Sequence, residues 1–254
     1  MIVIAHLSDT HFDDEPRSLT RAQAVMDHLE NLPHPLDAVL VSGDIADHGR
    51  RSEYELARKV LLTSRHPVIV LPGNHDERAA FRTGLLDEPT SINTGPINQV
   101  HRGAGFVLAA VDTSIPGRHD GLLDDDTLTW LDDVLTQTDT QTPVLIAFHH
   151  PPVELHVQFI DSIRQFGEQK LAALIERHRN VVALLCGHAH TAAATTFAGR
   201  PLIVAPGVVS TLRLPWEEQT SPDHHSHLDL PPALAFHILD DDNRLTTHYR
   251  TIPL

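Results

Sequence analysis

Short apolar segments alternate with longer amphipathic segments along most of this chain. The apolar segments are rich in β-branched residues and nearly continuous in apolar character, which is typical of strands buried on both faces of a sheet. The amphipathic segments place apolar residues three or four positions apart, as helices that cover a sheet do. This alternation predicts an α/β fold with a largely parallel or mixed sheet. The predicted strands are Ile2–Leu7, Ala38–Ser42, Val68–Leu71, Phe106–Val111, Val144–Phe148 and Val181–Leu185.

Four segments carry the helical pattern, and the character of the chain changes after Gly187. The helices are predicted around Leu19–Leu29 with Ser18 as N-cap, Tyr54–Leu61, Leu128–Leu135 and Leu171–His178. Beyond Gly187, shorter apolar segments separated by turns predict an antiparallel β section over about residues 192–254. Residues 212–232 are rich in Pro, Asp, Glu and His and predict a long loop, either at the rim of an active site or partly disordered. We predict one domain spanning residues 1–254.

Charge and cysteine content exclude several classes of partner. The chain has 19 Lys and Arg against 34 Asp and Glu, a formal charge of −15, which disfavours nucleic acid polymers and anionic lipid. The single Cys186 cannot form an intramolecular disulfide. The N-terminal segment lacks the features of a signal peptide, and no apolar run approaches the roughly 18 residues that span a bilayer. These features predict a cytoplasmic protein without an integral membrane segment.

Candidate metal ligands follow five of the predicted strands directly. Because ligands bind outside the carboxyl ends of strands in open α/β sheets, these residues are expected to face one crevice. Residues two apart in extended backbone point to the same side, which applies to both Asp-x-His and His-x-His here. Glycine precedes several ligands, where a tight turn or a close approach to an ion is needed. The seven candidates are Asp9, His11, Asp44, Asn74, His149, His188 and His190, and the preceding glycines are Gly43, Gly73 and Gly187.

Seven ligands are enough for two metal ions if the ions share one carboxylate. Oxygen and imidazole donors without thiolate favour manganese, iron or zinc over soft metals. Two-metal hydrolases hold their ions about 3.5–4 Å apart with a water between them. The count leaves His75 free for acid–base work.

These motifs resemble those of the calcineurin-like metallophosphoesterase superfamily along the whole chain. Its blocks Asp-x-His, Gly-Asp, Gly-Asn-His-Asp/Glu, His and Gly-His-x-His are all present. The chain is most similar to bacterial class III cyclic-nucleotide phosphodiesterases of the mycobacterial type. That likeness rests on the segments GNHDER (73–78), VDTSIPG (111–117), HHPP (149–152) and TFAG (196–199).

The resemblance implies a four-layer αββα sandwich with two mixed sheets, a dinuclear metal centre and often a homodimer. The centre would contain two divalent or mixed-valence metal ions (Mn, Fe or Zn). One ion would be bound by Asp9, His11, Asp44 and His190. The other would be bound by Asp44, Asn74, His149 and His188, so that Asp44 and a water or hydroxide bridge the ions. His75 matches the acid–base histidine of the family. His150 and Asp76 are further candidates for the substrate-binding region, and Asp76 could instead orient His75 or act as a helix N-terminal charge.

The expected reaction is hydrolysis of a small phosphodiester by a bridging metal hydroxide. Two divalent ions, two aspartates and a bridging hydroxide together balance the single charge of a diester better than the double charge of a monoester dianion. Cyclic nucleotides, 3′,5′-cAMP or 2′,3′-cyclic nucleotides, are the first candidates. The alternatives are a broad-specificity phosphoesterase acting on glycerophosphodiesters or small phosphomonoesters, and a non-catalytic scaffold, which the complete ligand set disfavours. A protein phosphatase is disfavoured because His48 occupies the position of a phosphate-binding arginine.

Overall fold

Two mixed β-sheets packed face to face form the centre of the fold. The structure is a computed structural model that describes residues 1–88, 94–217 and 225–254. The strands are β1 (Ile2–Leu7), β2 (Ala38–Ser42), β3 (Val68–Leu71), β4 (Gln99–Gly103), β5 (Phe106–Ala110), β6 (Gly121–Leu122), β7 (Val144–Ala147), β8 (Gln165–Phe166), β9 (Val181–Cys186), β10 (Ala193–Phe197), β11 (Arg200–Val204), β12 (Thr211–Leu212), β13 (Ser226–His227), β14 (Ala233–Leu239) and β15 (Leu245–Thr251). The helices are α1 (Pro16–Glu30), α2 (Arg51–Leu61), α3 (Arg78–Ala80, continuing into a π-helical turn Phe81–Leu85), α4 (Asp125–Thr136), α5 (Gln158–Ser162) and α6 (Glu168–Arg177).

Parallel strands occupy the middle of each sheet. The first sheet has the order β15-β14-β1-β2-β3, in which β1, β2 and β3 are parallel. The second has the order β10-β11-β9-β7-β5-β4, with antiparallel pairs at its two edges. The strands after Gly187 therefore do not form a separate section. They complete both sheets, because β10 and β11 extend the second sheet and β14 and β15 extend the first.

Three layers of apolar side chains hold the four layers of secondary structure together. One cluster lies between the sheets and contains residues such as Leu40 and Leu71 from the first sheet and Leu108 and Leu145 from the second. The other two lie between each sheet and its helices. The fold is therefore the four-layer α/β sandwich with two mixed sheets that the resemblance implies.

Local predictions differ from the structure at a few positions. Helix α1 begins at Pro16, so Ser18 is not its N-cap. The Ser18 hydroxyl instead donates to Asp13 Oδ1 at 2.6 Å, inside the first turn. The predicted loop over 212–232 includes the last residue of β12 and all of β13, which pair with each other. Its residues 218–224, including His224, lie outside the described residues.

Two arginines of α1 fix the two flanks of this loop. Arg21 donates to the carbonyls of Val208 and Leu230, each at 2.7 Å. Arg17 donates to the carbonyls of Val209 and Leu228. The segments on either side of the β12–β13 pair are thereby tied to helix α1. Within the described ranges, no helix combines the length and the apolar character needed to cross a membrane.

A chain of buried polar side chains runs across the first sheet on the face that meets the second. Thr247 Oγ1 lies 2.9 Å from His237 Nδ1, and His237 Nε2 lies 3.0 Å from His6 Nδ1. His6 Nε2 is in turn 2.8 Å from Ser42 Oγ. Burial lowers the pKa of His6 well below its ordinary value and lowers the pKa of His237 to about 3. Both imidazoles are therefore neutral in the native protein.

This buried pair predicts a specific sensitivity to acid. Because the unfolded chain protonates these histidines below about pH 6.5 and the native protein does not, stability is full above that pH and falls as the pH drops towards about 3. Each histidine contributes about 1.4 kcal/mol per pH unit, roughly 2 kcal/mol at about pH 5. In urea unfolding at about pH 7.5 and about pH 5, His237→Gln should reduce the pH-dependent loss of stability by about that amount.

The control for this prediction is His248→Gln, which changes an exposed histidine on the neighbouring strand β15. Its loss of stability on acidification should match that of the wild type. Identical pH dependence in wild type and His237→Gln would contradict the prediction.

Candidate metal centre

The ends of five parallel strands from both sheets meet at one edge of the sandwich. The first sheet contributes the residues after β1, β2 and β3, and the second sheet contributes those after β7 and β9. The crevice therefore lies where the edges of two facing sheets meet, in agreement with the two mixed sheets that the resemblance implies. The side chains delivered there are Asp9, His11, Asp44, Asn74, His75, His149, His188 and His190.

Four of these side chains form a compact group. The ligand atoms of Asp9, His11, Asp44 and His190 all lie within 4.8 Å of one another. His190 Nε2 is 3.3 Å from Asp9 Oδ1 and 3.2 Å from His11 Nε2. These are the residues that the resemblance assigns to one metal ion.

A second group lies beside the first and shares Asp44 with it. His149 Nε2 is 3.3 Å from Asp44 Oδ2 and 3.3 Å from His188 Nδ1. The same Asp44 Oδ2 is 3.5 Å from His11 Nε2 of the first group. One carboxylate oxygen thus stands between imidazoles of the two groups, which is the arrangement that a bridging ligand requires. Asn74 lines the same cavity.

Most of these residues adopt a backbone conformation that L-residues rarely take. Their positive φ angles correct the expectation of extended backbone at Asp-x-His and His-x-His. Each such residue costs about 1–3 kcal/mol and persists only where its surroundings enforce it. Here, backbone hydrogen bonds such as Asp9 N–H to Gly43 O (3.1 Å) hold the turns in place. The residues are Asp9 (55°), His11 (42°), Asp44 (47°), His188 (67°) and His190 (52°).

Two glycines allow the groups to approach one another closely. At Gly43 the φ angle is +95°, and an added Cβ would lie 2.5 Å from His149 Nδ1. At Gly73 an added Cβ would overlap Asp44 Oδ1. Any larger residue at Gly73 would displace the shared carboxylate.

In three of the imidazoles, a hydrogen bond at Nδ1 fixes the orientation of the ring and therefore the position of Nε2. His149 Nδ1 donates to the Ser42 carbonyl at 2.7 Å, and His11 Nδ1 lies 2.8 Å from Asp47 Oδ1. His190 Nδ1 lies 2.7 Å from Ser210 Oγ. Such partners orient metal-binding histidines and leave Nε2 with its lone pair free. Sequence reasoning missed Asp47 and Ser210, although Asp47 stands in the segment already compared with phosphatases.

The donors present fit divalent cations. Asp9 Oδ1 and Asn74 Oδ1 are buried without a hydrogen-bond partner, which is costly unless a cation contacts them. Burial lowers the pKa of His149, but the carboxylates of Asp44 and Asp9 outweigh it and raise that pKa to about 9. The potential at the site is therefore negative and favours bound cations. Cys186 is buried against the Ile203 carbonyl, so it belongs to neither group.

His75 lies at the mouth of the centre with one ring nitrogen engaged. Its backbone N–H donates to Asp44 Oδ1 at 2.9 Å, and its Nδ1 donates to the Asp47 carbonyl at 2.8 Å. The side chain is 35% exposed and lines the cavity. Because a carbonyl only accepts, Nδ1 carries a proton, and Nε2 is the ring nitrogen outside this hydrogen bond.

The structure corrects the roles expected for His150 and Asp76. Both ring nitrogens of the buried His150 are occupied, by Thr113 Oγ1 at 2.8 Å and the His119 carbonyl at 3.2 Å. Asp76 accepts from the backbone N–H groups of Gly73, Ile45 and Ala46 and from the Tyr54 hydroxyl. All ring nitrogens and carboxylate oxygens of these two side chains are thus hydrogen-bonded, and Asp76 has no hydrogen bond to His75. One ring nitrogen of His150 nevertheless lies within 4.8 Å of ligand atoms of His149 and His188. Asp76 instead ties the loop after β2 to the loop after β3.

Other polar residues near the centre also bind protein atoms. His48, at the position of the phosphatase arginine, pairs with Glu53 at 2.9 Å. Arg78 donates to Asp112 and to the Ser114 carbonyl. Arg82 donates to Glu88 and to the carbonyls of Gly95 and Pro96. These contacts explain both arginines as structural anchors.

A cavity of about 290 Å³ opens onto the metal-binding residues. Its floor contains Asp44, Asn74, His75, His188 and His190. Its remaining wall is mostly apolar or aromatic and comes from Phe159, Ile160, Ile163, Leu212, His119, His225 and Ser226. A small molecule with one charged group and one apolar or aromatic part matches this lining.

Comparisons with known proteins identify the family of this chain. The family model for calcineurin-like phosphoesterases matches residues 2–192. A glycerophosphodiester phosphodiesterase, GpdQ of Enterobacter lignolyticus, is 32% identical over 93% of this chain and 86% of its own length. A cAMP/cGMP dual specificity phosphodiesterase of Mycobacterium tuberculosis is 32% identical over 80% of this chain and 66% of its own length. A dimetal phosphatase from Danio rerio has the same fold, with a TM-score of 0.69, 17% identity and 99% coverage of both chains.

Proposed function

This chain belongs to the calcineurin-like phosphoesterase family and is a metal-dependent phosphodiesterase, and we propose that its substrates are small phosphodiesters, with cyclic nucleotides as the first candidates. The observation that carries the proposal is the shared Asp44 carboxylate. Its Oδ2 lies within 3.5 Å of imidazoles from both ligand groups, beside a cavity that fits a small organic phosphate. Glycerophosphodiesters are the second candidate, because a relative of that name aligns with 93% of the chain.

We assign the cations to two positions. Asp9, His11, Asp44 and His190 would hold one, and Asp44, Asn74, His149 and His188 would hold the other. Divalent cations there supply the Lewis acidity that activates water and neutralises charge on the phosphoryl oxygens. The oxygen and nitrogen donors favour manganese, iron or zinc. The proposal also includes the homodimer and the cytoplasmic location that the sequence suggested.

We assign to His75 the role of donating a proton to the leaving group. Water adds to phosphorus and releases a proton to solvent, the ester P–O bond breaks, and the departing alkoxide takes a proton from His75 Nε2. The imidazole regains a proton from solvent for the next turnover. The Asp47 carbonyl fixes the ring through Nδ1, so that Nε2 is the donor in the imidazolium form. Asp47 also binds His11 through its carboxylate and therefore aligns the acid with the first ligand group.

The test compares diester and monoester turnover. After chelation and reloading with Mn²⁺, we expect bis-p-nitrophenyl phosphate to be hydrolysed at least about tenfold faster than p-nitrophenyl phosphate, a difference of roughly 1.4 kcal/mol in barrier. In a subsequent panel, kcat/KM should be higher for 3′,5′-cAMP or 2′,3′-cAMP than for glycerophosphocholine.

Three other outcomes of these measurements would contradict parts of the proposal. Faster monoester turnover would overturn the preference for diesters. Faster turnover of glycerophosphocholine than of any cyclic nucleotide would favour the second candidate. Loss of all metal without loss of turnover would refute the metal-dependent reaction.

A further inference from the structure

Two stacked aromatic rings form part of the wall of the metal cavity. The rings of Phe159 and His225 are nearly parallel, with an interplanar angle of 4° and centroids 5.2 Å apart. Both side chains are exposed, and 49% of Phe159 is open to solvent. They line the same cavity as Asp44, His75 and His188. A ligand that covers an exposed aromatic pair beside a polar centre gains stacking and apolar contacts.

The two rings are held by separate, anchored elements. Phe159 lies on α5. The residue after it, Ile160, is 3% exposed and packs into the core between the second sheet and its helices. His225 directly precedes β13, and its carbonyl accepts the backbone N–H of Arg213 at 2.7 Å. The pair is therefore assembled before any ligand arrives, which lowers the entropy cost of binding.

The other side of the pair faces a second cavity. Phe159, Leu212 and His225 line both the metal cavity and this neighbouring space of about 450 Å³. A ligand whose phosphate lies at the metal-binding residues can thus extend a flat ring along the pair. Ile160, Ile163 and Leu212 line the metal cavity together with the pair. The neighbouring space is more polar, since Gln158, Ser162 and Arg213 also line it.

We propose that the Phe159–His225 pair binds the planar ring of a nucleobase and thereby sets a preference for nucleotide over glycerol substrates. This inference rests on the proposed function, since it names the part of the substrate that the same site recognises. A nucleobase has a flat π-face and stacks on aromatic side chains, whereas glycerophosphocholine and glycerol 3-phosphate have none.

The test measures binding separately from turnover. In Mn²⁺-loaded protein, calorimetry should show that 5′-AMP binds more tightly than glycerol 3-phosphate. Phe159→Ala should weaken 5′-AMP by about tenfold or more, the size expected for one lost base–aromatic stack, with glycerol 3-phosphate unchanged within about twofold. Phe159→Leu, which keeps apolar volume without the ring, should behave like alanine, and Phe159→Trp should retain affinity.

The same variants also allow a test by the turnover of 3′,5′-cAMP. Phe159→Ala should raise KM for 3′,5′-cAMP by about tenfold with little change in kcat, because a remote stack contributes equally to ground and transition states. The control is Phe166→Ala, which removes another exposed aromatic side chain that does not line the metal cavity. It should leave both ligands unaffected.

The outcomes distinguish this inference from the proposed function. Equal effects of Phe159→Ala on 5′-AMP and glycerol 3-phosphate, or no effect on either, would overturn the inference. The same holds if the wild type binds 5′-AMP no more tightly than glycerol 3-phosphate. If the binding preference is found and no phosphodiester is hydrolysed, the proposed function fails while the inference stands.

Discussion

Asp44→Asn should release both metal ions and lower kcat/KM by at least about 10³-fold, comparable to losing a major source of transition-state charge stabilisation. The reason is that Oδ2 of this one carboxylate lies 3.3 Å from His149 Nε2 and 3.5 Å from His11 Nε2, so both ligand groups lose their shared anion. Asparagine has nearly the same shape and tolerates the left-handed backbone at this position, where φ is 47°. The measurement is metal content after dialysis, together with turnover of bis-p-nitrophenyl phosphate.

Asp47→Asn is the matched comparison for this variant. Asp47 Oδ1 lies 2.8 Å from His11 Nδ1 and is placed in neither of the two ligand groups, so its loss should weaken only one ion by about 10–100-fold. The Asp44→Asn protein should remain folded, because the substitution removes one of two buried carboxylates that face each other across the site. Retention of two tightly bound ions, or loss of one ion alone, would refute the shared ligand.

His75→Ala should keep both metal ions and lose rate in proportion to the basicity of the leaving group. We expect a loss of about 10²–10⁴-fold for alkyl diesters and cyclic nucleotides, which need protonation of the leaving oxygen, and a much smaller loss for p-nitrophenyl diesters. The measurement is kcat across a series of diesters with leaving groups of increasing pKa, with metal content determined in parallel.

Metal content decides between two roles for this histidine. His11, Asp47 and His75 also lie close enough together to hold an ion, with the His11 and His75 ring centroids 4.7 Å apart. Loss of an ion in His75→Ala would make His75 a ligand and refute its role as proton donor. His119→Ala is the control, because this side chain lines the same cavity and its ring centroid lies 6.3 Å from that of His75. Its effect should not depend on the leaving group.

Much of the fold and of the candidate site could be predicted from the sequence. Runs of apolar β-branched residues form strands almost wherever they occur between helices, so β1, β2 and β3 have the predicted bounds. Polar residues directly after such strands must lie at the carboxyl edge of a sheet, which is why the candidate ligands could be named before their contacts were known. The motif His-His-Pro-Pro was less informative, because spacing cannot separate His149 from the fully hydrogen-bonded His150.

Residues that act through contacts distant in sequence could not be predicted. Ser210 meets His190, and Phe159 meets His225, only because the β12–β13 pair is fixed beside α5 and the second sheet. Asp76 has the sequence position of a residue next to the acid–base histidine. Its partners, however, are the backbone of the loop after β2 and Tyr54 on α2. Each of these contacts depends on how the layers pack, and no periodicity along the chain encodes that packing.

The sequence by itself determined the strand-and-helix alternation, the chemical type of the donors and their places at the ends of strands, because these depend on local periodicity and composition. Local periodicity did not determine that the strand ends come from two facing sheets or that Asp44 stands between two groups of imidazoles. The resemblance implied both, and the tertiary structure shows the contacts that produce them. Only the tertiary structure decided that five of the ligand residues take left-handed backbone. The physical reason is that strained turns and shared ligands are stable only when distant parts of the chain supply the hydrogen bonds and close contacts that enforce them.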